Sequence, residues 1–268
     1  MSELSENVEK SIIKKFRKEI WRPFVKAVND YDLIKENDKI AVCISGGKDS
    51  FLLAKCMQEL LRHKKFHYEL EFIVMNPGYN EENIIKIKEN LKILGIDAHI
   101  FDTPIFDVAD KTDNPCYLCA RMRRGYLYSY AQKLGCNKIA LGHHFDDVIE
   151  TILMNILYTG NYASMMPKLH SDNFKGMELI RPLYFVREKD IKSWAKYNGL
   201  EFIDCACSVT KKKIGKRQEV KELVQKLNEM YKEADKCIFA SSFNVNLNTV
   251  IGYKKGNEKY TFMDDYDM

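Results

Sequence analysis

The feature that most restricts the fold is an apolar strand that runs straight into a glycine turn and then into a helix. Lys39–Ile44 is a short apolar run, Ser45-Gly46-Gly47-Lys48-Asp49-Ser50 follows at once, and a helical pattern extends from about Ser50 to His63. A strand that is apolar on both sides must be covered on both sides, which calls for helices above and below a mainly parallel sheet. The same rhythm repeats downstream. Strands are predicted at Glu69–Met75, Ala98–Phe101, Lys138–Leu141, Glu178–Pro182 and Glu201–Ile203. Helices are predicted at Glu81–Leu94, Arg121–Leu134, Phe145–Tyr158, Glu188–Tyr197 and Glu219–Lys232, three of them closed by Gly95, Gly135 and Gly199. Glycine is the residue expected just past a helix end. This alternation with short connections predicts an α/β fold.

Residues 8–29 alternate apolar and charged residues at helical spacing and predict one leading amphipathic helix. Asp102–Asn114 reads as a loop, Thr159–Lys175 (with Pro167) as an excursion near the site, and the acidic tail after Lys259 as frayed. The expected organisation is an N-terminal helical segment (1–30), a main domain (31–235) and a C-terminal extension (236–268).

The chain of 268 residues carries 42 basic and 38 acidic residues, so its net charge of +4 argues only weakly for a polyanionic partner. Local clustering says more: residues 211–217 hold five cations, Lys211, Lys212, Lys213, Lys216 and Arg217, which suit either a solvated loop or a phosphate contact. Met1–Lys10 is polar and acidic, and no run of 18 apolar residues occurs, so a soluble, cytoplasmic chain without a membrane partner is expected. In that setting the eight cysteines are expected to be reduced. Cys43, Cys56 and Cys136 lie in apolar or helical surroundings and read as packing residues.

The glycine turn differs from the G-x-x-x-x-G-K-[ST] phosphate loop, yet its placement has a physical meaning. Gly46 and Gly47 let the backbone approach an oxyanion, the following helix start offers unpaired N–H groups, Ser45 and Ser50 add donors, and Lys48 balances charge. Asp49 would repel a bare phosphate and therefore points to a metal ion or a structural bond; the alternative for the whole segment is an ordinary strand-to-helix turn. Gly142-His143-His144-Phe145-Asp146-Asp147, with Glu150 three residues on, opens a helix after a strand, where ligands of parallel sheets bind. Asp147 and Glu150 share a helix face and suit Mg²⁺, while Asp146 and Asp147 also suit a helix N-terminus.

Cys116 and Cys119 form a C-x-x-C pair, and Cys205 and Cys207 supply further thiolates. All four would complete a zinc site, three would leave an iron–sulfur cluster with an open position, and redox or inert structural roles remain open from the residues alone. Arg121, Arg123 and Arg124, placed at the start of the predicted helix, would lower thiolate pKa values and hold phosphates, or form a solvated cluster.

Taken together, Ala41–Ser50 resembles the PP-loop of the ATP pyrophosphatase, or adenine nucleotide alpha-hydrolase-like, superfamily. Pro115–Gly125 and Ala140–Thr151 resemble the tRNA 2-thiocytidine synthetases within it, and Met166–Leu169 and Ile180–Leu183 extend the likeness over roughly residues 10–235. The resemblance implies a Rossmann-like parallel sheet with helices on both faces, and adenylation of a cytidine C2 carbonyl, at tRNA position 32, followed by replacement of oxygen by sulfur. It implies an ATP site of Ser45, Gly46, Gly47, Lys48, Asp49 and Ser50, with Met75 and Gly142 as further nucleotide contacts and Asp49 and Asp147 as Mg²⁺ groups. It also implies a 4Fe-4S cluster on Cys116, Cys119 and Cys205, with Cys207 the alternative third ligand. Lys48, Asp49, Asp147 and Cys205 would be the catalytic set; Arg121, Arg123, Arg124 and the 211–217 cations would hold tRNA. A sulfur donor such as a cysteine desulfurase or inorganic sulfide, and a homodimer, are expected alongside. The family pattern commonly has arginine where this chain has Phe145, and separates its late cysteines by two residues where this chain has one.

Overall fold

The computed structural model describes residues 3–63, 67–109, 115–203, 215–264 and 266. Strands β1 (Lys39–Ile44), β2 (Glu69–Asn76), β3 (Ala98–Asp102), β4 (Lys138–Ala140), β5 (Lys168–His170) and β6 (Glu178–Ile180) form one sheet in the order β3-β2-β1-β4-β6-β5. Every pairing is parallel except β5 with β6, which is antiparallel at the edge. The strand that enters the glycine turn therefore sits in the middle of the sheet.

The period-2 geometry of a strand sorts the apolar residues onto two faces. Ile40, Val42, Ile44, Phe72, Val74, Ala140 and Ile180 pack in a large core on one side. That side carries α1 (Glu3–Ile13), α2 (Arg22–Asp30), α3 (Lys48–Arg62), α4 (Glu81–Leu94), α7 (Phe145–Thr159), α8 (Glu188–Tyr197), α9 (Lys216–Met230) and α10 (Ala234–Ser241). Ala41, Cys43, Ile73, Ile139 and Leu179 face the other way, against Tyr128 and Ala131 of α6 (Pro115–Lys133). Cys43, Cys56 and Cys136 are buried, and burial pushes all three thiols up. Among the described residues no helix is long and apolar enough to cross a membrane.

Several elements differ from the sequence expectation. The leading helix is two helices joined by a π-helical turn, Arg17–Trp21, with Pro23 in the first turn of α2. Helix α6 starts at Pro115 rather than near Arg121, because proline with its fixed φ is well suited to a first helical turn. The arginines therefore lie inside the helix and not at its start. The 102–114 stretch contains a short helix, α5 (Ile105–Ala109), the 159–175 excursion carries β5, and Glu201–Ile203 is not a strand. The C-terminal extension is helical only in part: after α10 comes a hairpin of β7 (Gly252–Lys255) and β8 (Glu258–Thr261), so regular structure continues past Lys259.

Candidate active site

The turn after β1 is held by its own side chains. Ser50 Oγ donates to the Gly47 carbonyl at 2.8 Å and accepts from the Ser45 amide at 3.1 Å, so this hydroxyl knits the turn. Gly46 has φ +90°, and a Cβ there would lie 2.5 Å from Ile203 Cδ1. The backbone angle calls for glycine, and a Cβ would also force the Ile203 and Ile87 side chains to shift. No side chain caps α3 at Gly47, which leaves its first-turn amides without a side-chain partner and suited to an anion. Lys48 Nζ lies 3.1 Å from Asp49 Oδ2 and 3.3 Å from Glu188 Oε1. Burial lowers the Lys48 pKa, but these two carboxylates outweigh it and hold the ammonium above its ordinary value. Asp49 Oδ1 is buried without a hydrogen-bond partner, with the His144 Nε2 atom 3.8 Å away. An orphaned carboxylate oxygen beside a phosphate-type turn fits a divalent cation.

The loop after β4 lies against this turn. A Cβ on Gly142 would come within 3.0 Å of the Asp49 carbonyl carbon and 3.1 Å of the Ser50 amide nitrogen, so Gly142 lets two backbones approach. His144 and Asp147 form a reciprocal cap at the start of α7: the His144 amide donates to Asp147 Oδ2 at 2.8 Å, and the Asp147 amide donates to His144 Nδ1 at 3.4 Å. Asp147 Oδ1 accepts from Arg217 Nη2 at 2.8 Å, and Arg217 Nε donates to Glu150 Oε2 at 2.8 Å. Burial alone would raise the Asp147 pKa, but His144 and Arg217 bring it below the usual range; burial leaves Glu150 raised despite Arg217. Asp146 serves a different element, accepting from the Glu188 amide at 2.7 Å. His143 is held by Arg181, whose Nε donates to His143 Nδ1 at 3.3 Å. Burial, and after it the Arg181 charge, lowers the His143 pKa to about 4, so the ring is neutral with its proton on Nε2.

The structure thus brings Ser45–Ser50, Gly142, Asp147 and Arg217 together at the carboxyl ends of the central strands. Arg217, expected on RNA, is paired with protein carboxylates. Met75 is buried at the end of β2 beside Phe101 of β3. Phe145 is buried, stacked on Phe239 at 4.4 Å beneath the Arg187 guanidinium, so it serves the join between α7 and α10. Cys116 and Cys119 lie one helical turn apart in α6, and Cys119 is a half-buried free thiol. A pair of soft donors at that spacing fits an iron–sulfur cluster. Among the described residues no group of three or more metal-ligating side chains occurs. Cys205, Cys207, Lys211, Lys212 and Lys213 lie outside the described residues. Arg121 and Arg124 are exposed on α6, and Arg123 lies over the Phe106 ring with its Nε buried and unpartnered.

Sequence inspection missed Glu188, Lys221, Tyr79 and Arg181. Lys221 Nζ reaches Glu188 Oε2 at 2.6 Å, and the Tyr79 hydroxyl donates to the Ser45 carbonyl at 3.2 Å. Glu188, Lys221 and Tyr79 act over long sequence separations and carry no local signal. Arg181 lies within Ile180–Leu183, but nothing in the spacing links it to His143.

A family model described as a PP-loop domain matches residues 13–227. The tRNA-cytidine(32) 2-sulfurtransferase of Syntrophotalea carbinolica is 40% identical over 208 residues, covering 76% of this chain and 80% of that protein. Its counterpart in Geobacter metallireducens is 36% identical over 236 residues, covering 87% and 91% of the two chains. The fold is also similar to the U34-tRNA thiolase NcsA from Methanococcus maripaludis, solved with its 4Fe-4S cluster: the TM-score is 0.68, at 24% identity, over 90% of this chain and 81% of that one. With a PP-loop match across most of its length and relatives this similar along 80% and 91% of theirs, the chain belongs to the tRNA-cytidine(32) 2-sulfurtransferase family of PP-loop proteins.

Proposed function

We propose that this chain is an ATP-dependent tRNA sulfurtransferase that converts a cytidine, at position 32, to 2-thiocytidine. The observation that carries the proposal is the 40% identity to a tRNA-cytidine(32) 2-sulfurtransferase over 80% of that relative's length. The glycine turn beside an unpartnered Asp49 oxygen supports it.

In the first step the cytidine O2 attacks the α-phosphorus of ATP; an O–P bond forms and the bond to pyrophosphate breaks. Gly46, Gly47 and the uncapped start of α3 receive the phosphates, Lys48 balances the charge that develops on them, and Met75 and Gly142 border the nucleotide. Asp49 is the residue best suited to hold Mg²⁺, with Asp147 behind it through His144. In the second step sulfur attacks C2, the C–O bond breaks and AMP leaves. A 4Fe-4S cluster held by Cys116, Cys119 and Cys205, or Cys207 in its place, would supply an open iron position for that sulfur when bound. Arg121 and Arg124, exposed on the same helix as the cysteine pair, suit tRNA phosphates, as do Lys211, Lys212, Lys213 and Lys216. Sulfide or a cysteine desulfurase would serve as donor, and a homodimer is the expected assembly.

The test is incubation of cluster-loaded protein with tRNA, ATP, Mg²⁺ and sulfide under anaerobic conditions, followed by mass spectrometry of the nucleosides. Appearance of 2-thiocytidine with stoichiometric AMP is the expected result; loaded protein that thiolates no RNA would refute the proposal.

A further inference from the structure

Helix α9 carries no residue of the glycine turn, yet it meets the nucleotide site at two points. Arg217 and Lys221 are four residues apart, hence on one face of the helix. Arg217 spreads a single guanidinium over two carboxylates of α7, with Nη2 on Asp147 Oδ1 and Nε on Glu150 Oε2, both at 2.8 Å. One turn further, Lys221 grips Glu188 Oε2 at 2.6 Å, while the other oxygen of Glu188 faces Lys48 at 3.3 Å and Lys192 at 3.2 Å. Val220 and Val224 are buried alongside and hold the helix against the core. We propose that Arg217 and Lys221 are positioning residues of the nucleotide site: half-exposed cations, paired within the fold, that set the acids beside the glycine turn, and not ligands of an RNA phosphate.

The accounting of lone pairs supports this role. Asp147 has one oxygen on the His144 amide and the other on Arg217, so its carboxylate is fixed in place, and the unpartnered oxygen of the region belongs to Asp49. Glu150 is almost fully buried, and removing its cation would leave an uncompensated charge under α7. Burial would raise Glu188, but the Lys221 hydrogen bond and the Lys48 charge bring it down to about 2, so Lys48 always faces a carboxylate. With two of its five N–H donors on protein carboxylates, the guanidinium has its charge compensated within the fold and draws an outside phosphate less than an unpaired arginine would. Lysine could not replace it, because a point charge does not bridge two acids as a planar fork does.

The inference deepens the activation step proposed above, and ATP binding, which needs no RNA, tests it separately. Calorimetric titration of ATP·Mg²⁺ into the full chain should show Arg217→Ala raising Kd at least ~10-fold, the size expected from one lost ionic contact. Arg217→Lys, which keeps the charge and loses the fork, should weaken ATP nearly as much. Lys221→Gln should weaken it severalfold. In parallel, tRNA affinity of Arg217→Ala measured across a salt series should stay within about twofold of the parent with the same log–log slope. If Arg217→Ala does not fold, Glu150→Gln removes the same pairing from the other side and should weaken ATP in the same direction. Wild-type ATP affinity in Arg217→Lys, or loss of tRNA affinity with a shallower salt slope and intact ATP binding, overturns the proposal. If wild-type protein binds ATP and the variants do not, the proposal stands even where no tRNA is thiolated.

Discussion

The two rims of the sheet handle buried charge in opposite ways. At the amino ends of the strands, Lys138 Nζ meets Asp38 Oδ2 at 2.9 Å, Glu178 Oε2 at 3.0 Å and the Leu33 carbonyl at 2.9 Å. Asp38 is saturated in turn by the Lys35 amide and the Asn137 side-chain amide. At the carboxyl ends, Lys48 is shared between Asp49 and Glu188, and Asp49 Oδ1 has no partner. A buried polar atom without a partner costs roughly 1–3 kcal/mol. Folding alone gives no reason to keep one, whereas a ligand that completes the site does. The saturated rim serves stability, and the unsaturated rim is the one that carries the proposed substrate site.

That contrast is broken most directly by removing one charge from each rim. Lys138→Met should lower stability by about 3–5 kcal/mol, because Asp38 and Glu178 lose their cation while buried. Denaturant unfolding checks it, and ATP affinity of the folded fraction should be unchanged. A loss under about 1 kcal/mol would mean the triad is no anchor. Asp49→Asn should do the reverse. It removes a carboxylate with one unpartnered oxygen and leaves Lys48 its second partner, Glu188, so unfolding should shift by less than about 1 kcal/mol, while ATP-dependent AMP formation falls roughly 10²–10³-fold, as for loss of one preorganised charge at a reacting phosphate. Equal losses in stability and activity would erase the distinction between the rims.

Gly142→Ala probes the join between the two active loops. Its Cβ would press on the backbone of Asp49 and Ser50 at 3.0–3.1 Å, where no flexible side chain can yield. An overpacking cost of about 1–3 kcal/mol is expected, with weaker ATP binding, because the start of α3 must move. Unchanged ATP affinity would show that the close approach is dispensable.

What the sequence made legible was local. The apolar run of β1, the glycine turn and the helix stops at Gly95 (φ +60°) and Gly199 (φ +63°) are each written in a few adjacent residues. Asp147 and Glu150 were found as a pair because three residues is a helical neighbour distance. Their partner was not, since Arg217 lies 70 and 67 residues away and stood inside a basic run that looked like a phosphate contact. The start of α6 was missed for another reason: its first turns mix cysteine, arginine and tyrosine without apolar periodicity, so only Pro115 marked the boundary. The antiparallel edge strand β5 spans three residues, too short for alternation to register.

The smallest expected effect is also the most specific to the unsaturated rim. His143 is neutral because it is buried and because Arg181 donates to its Nδ1, and its pKa lies near 4. In the unfolded chain it would titrate near 6.5. Between those values the unfolded state binds more protons than the folded one, so stability is present above pH 6.5 and falls as pH drops toward 4. From pH 7 to pH 6 the loss should be roughly 1 kcal/mol or less, growing to about 2 kcal/mol by pH 5. His143→Asn keeps an acceptor for Arg181 and cannot titrate, so its unfolding free energy should be flatter over this range than the parent's. Lys138→Met changes the opposite rim of the sheet, away from His143, and should leave that slope untouched. A parent profile as flat as that of His143→Asn would show that the imidazole is already charged or exposed, and the neutral ring placed on this rim would be lost.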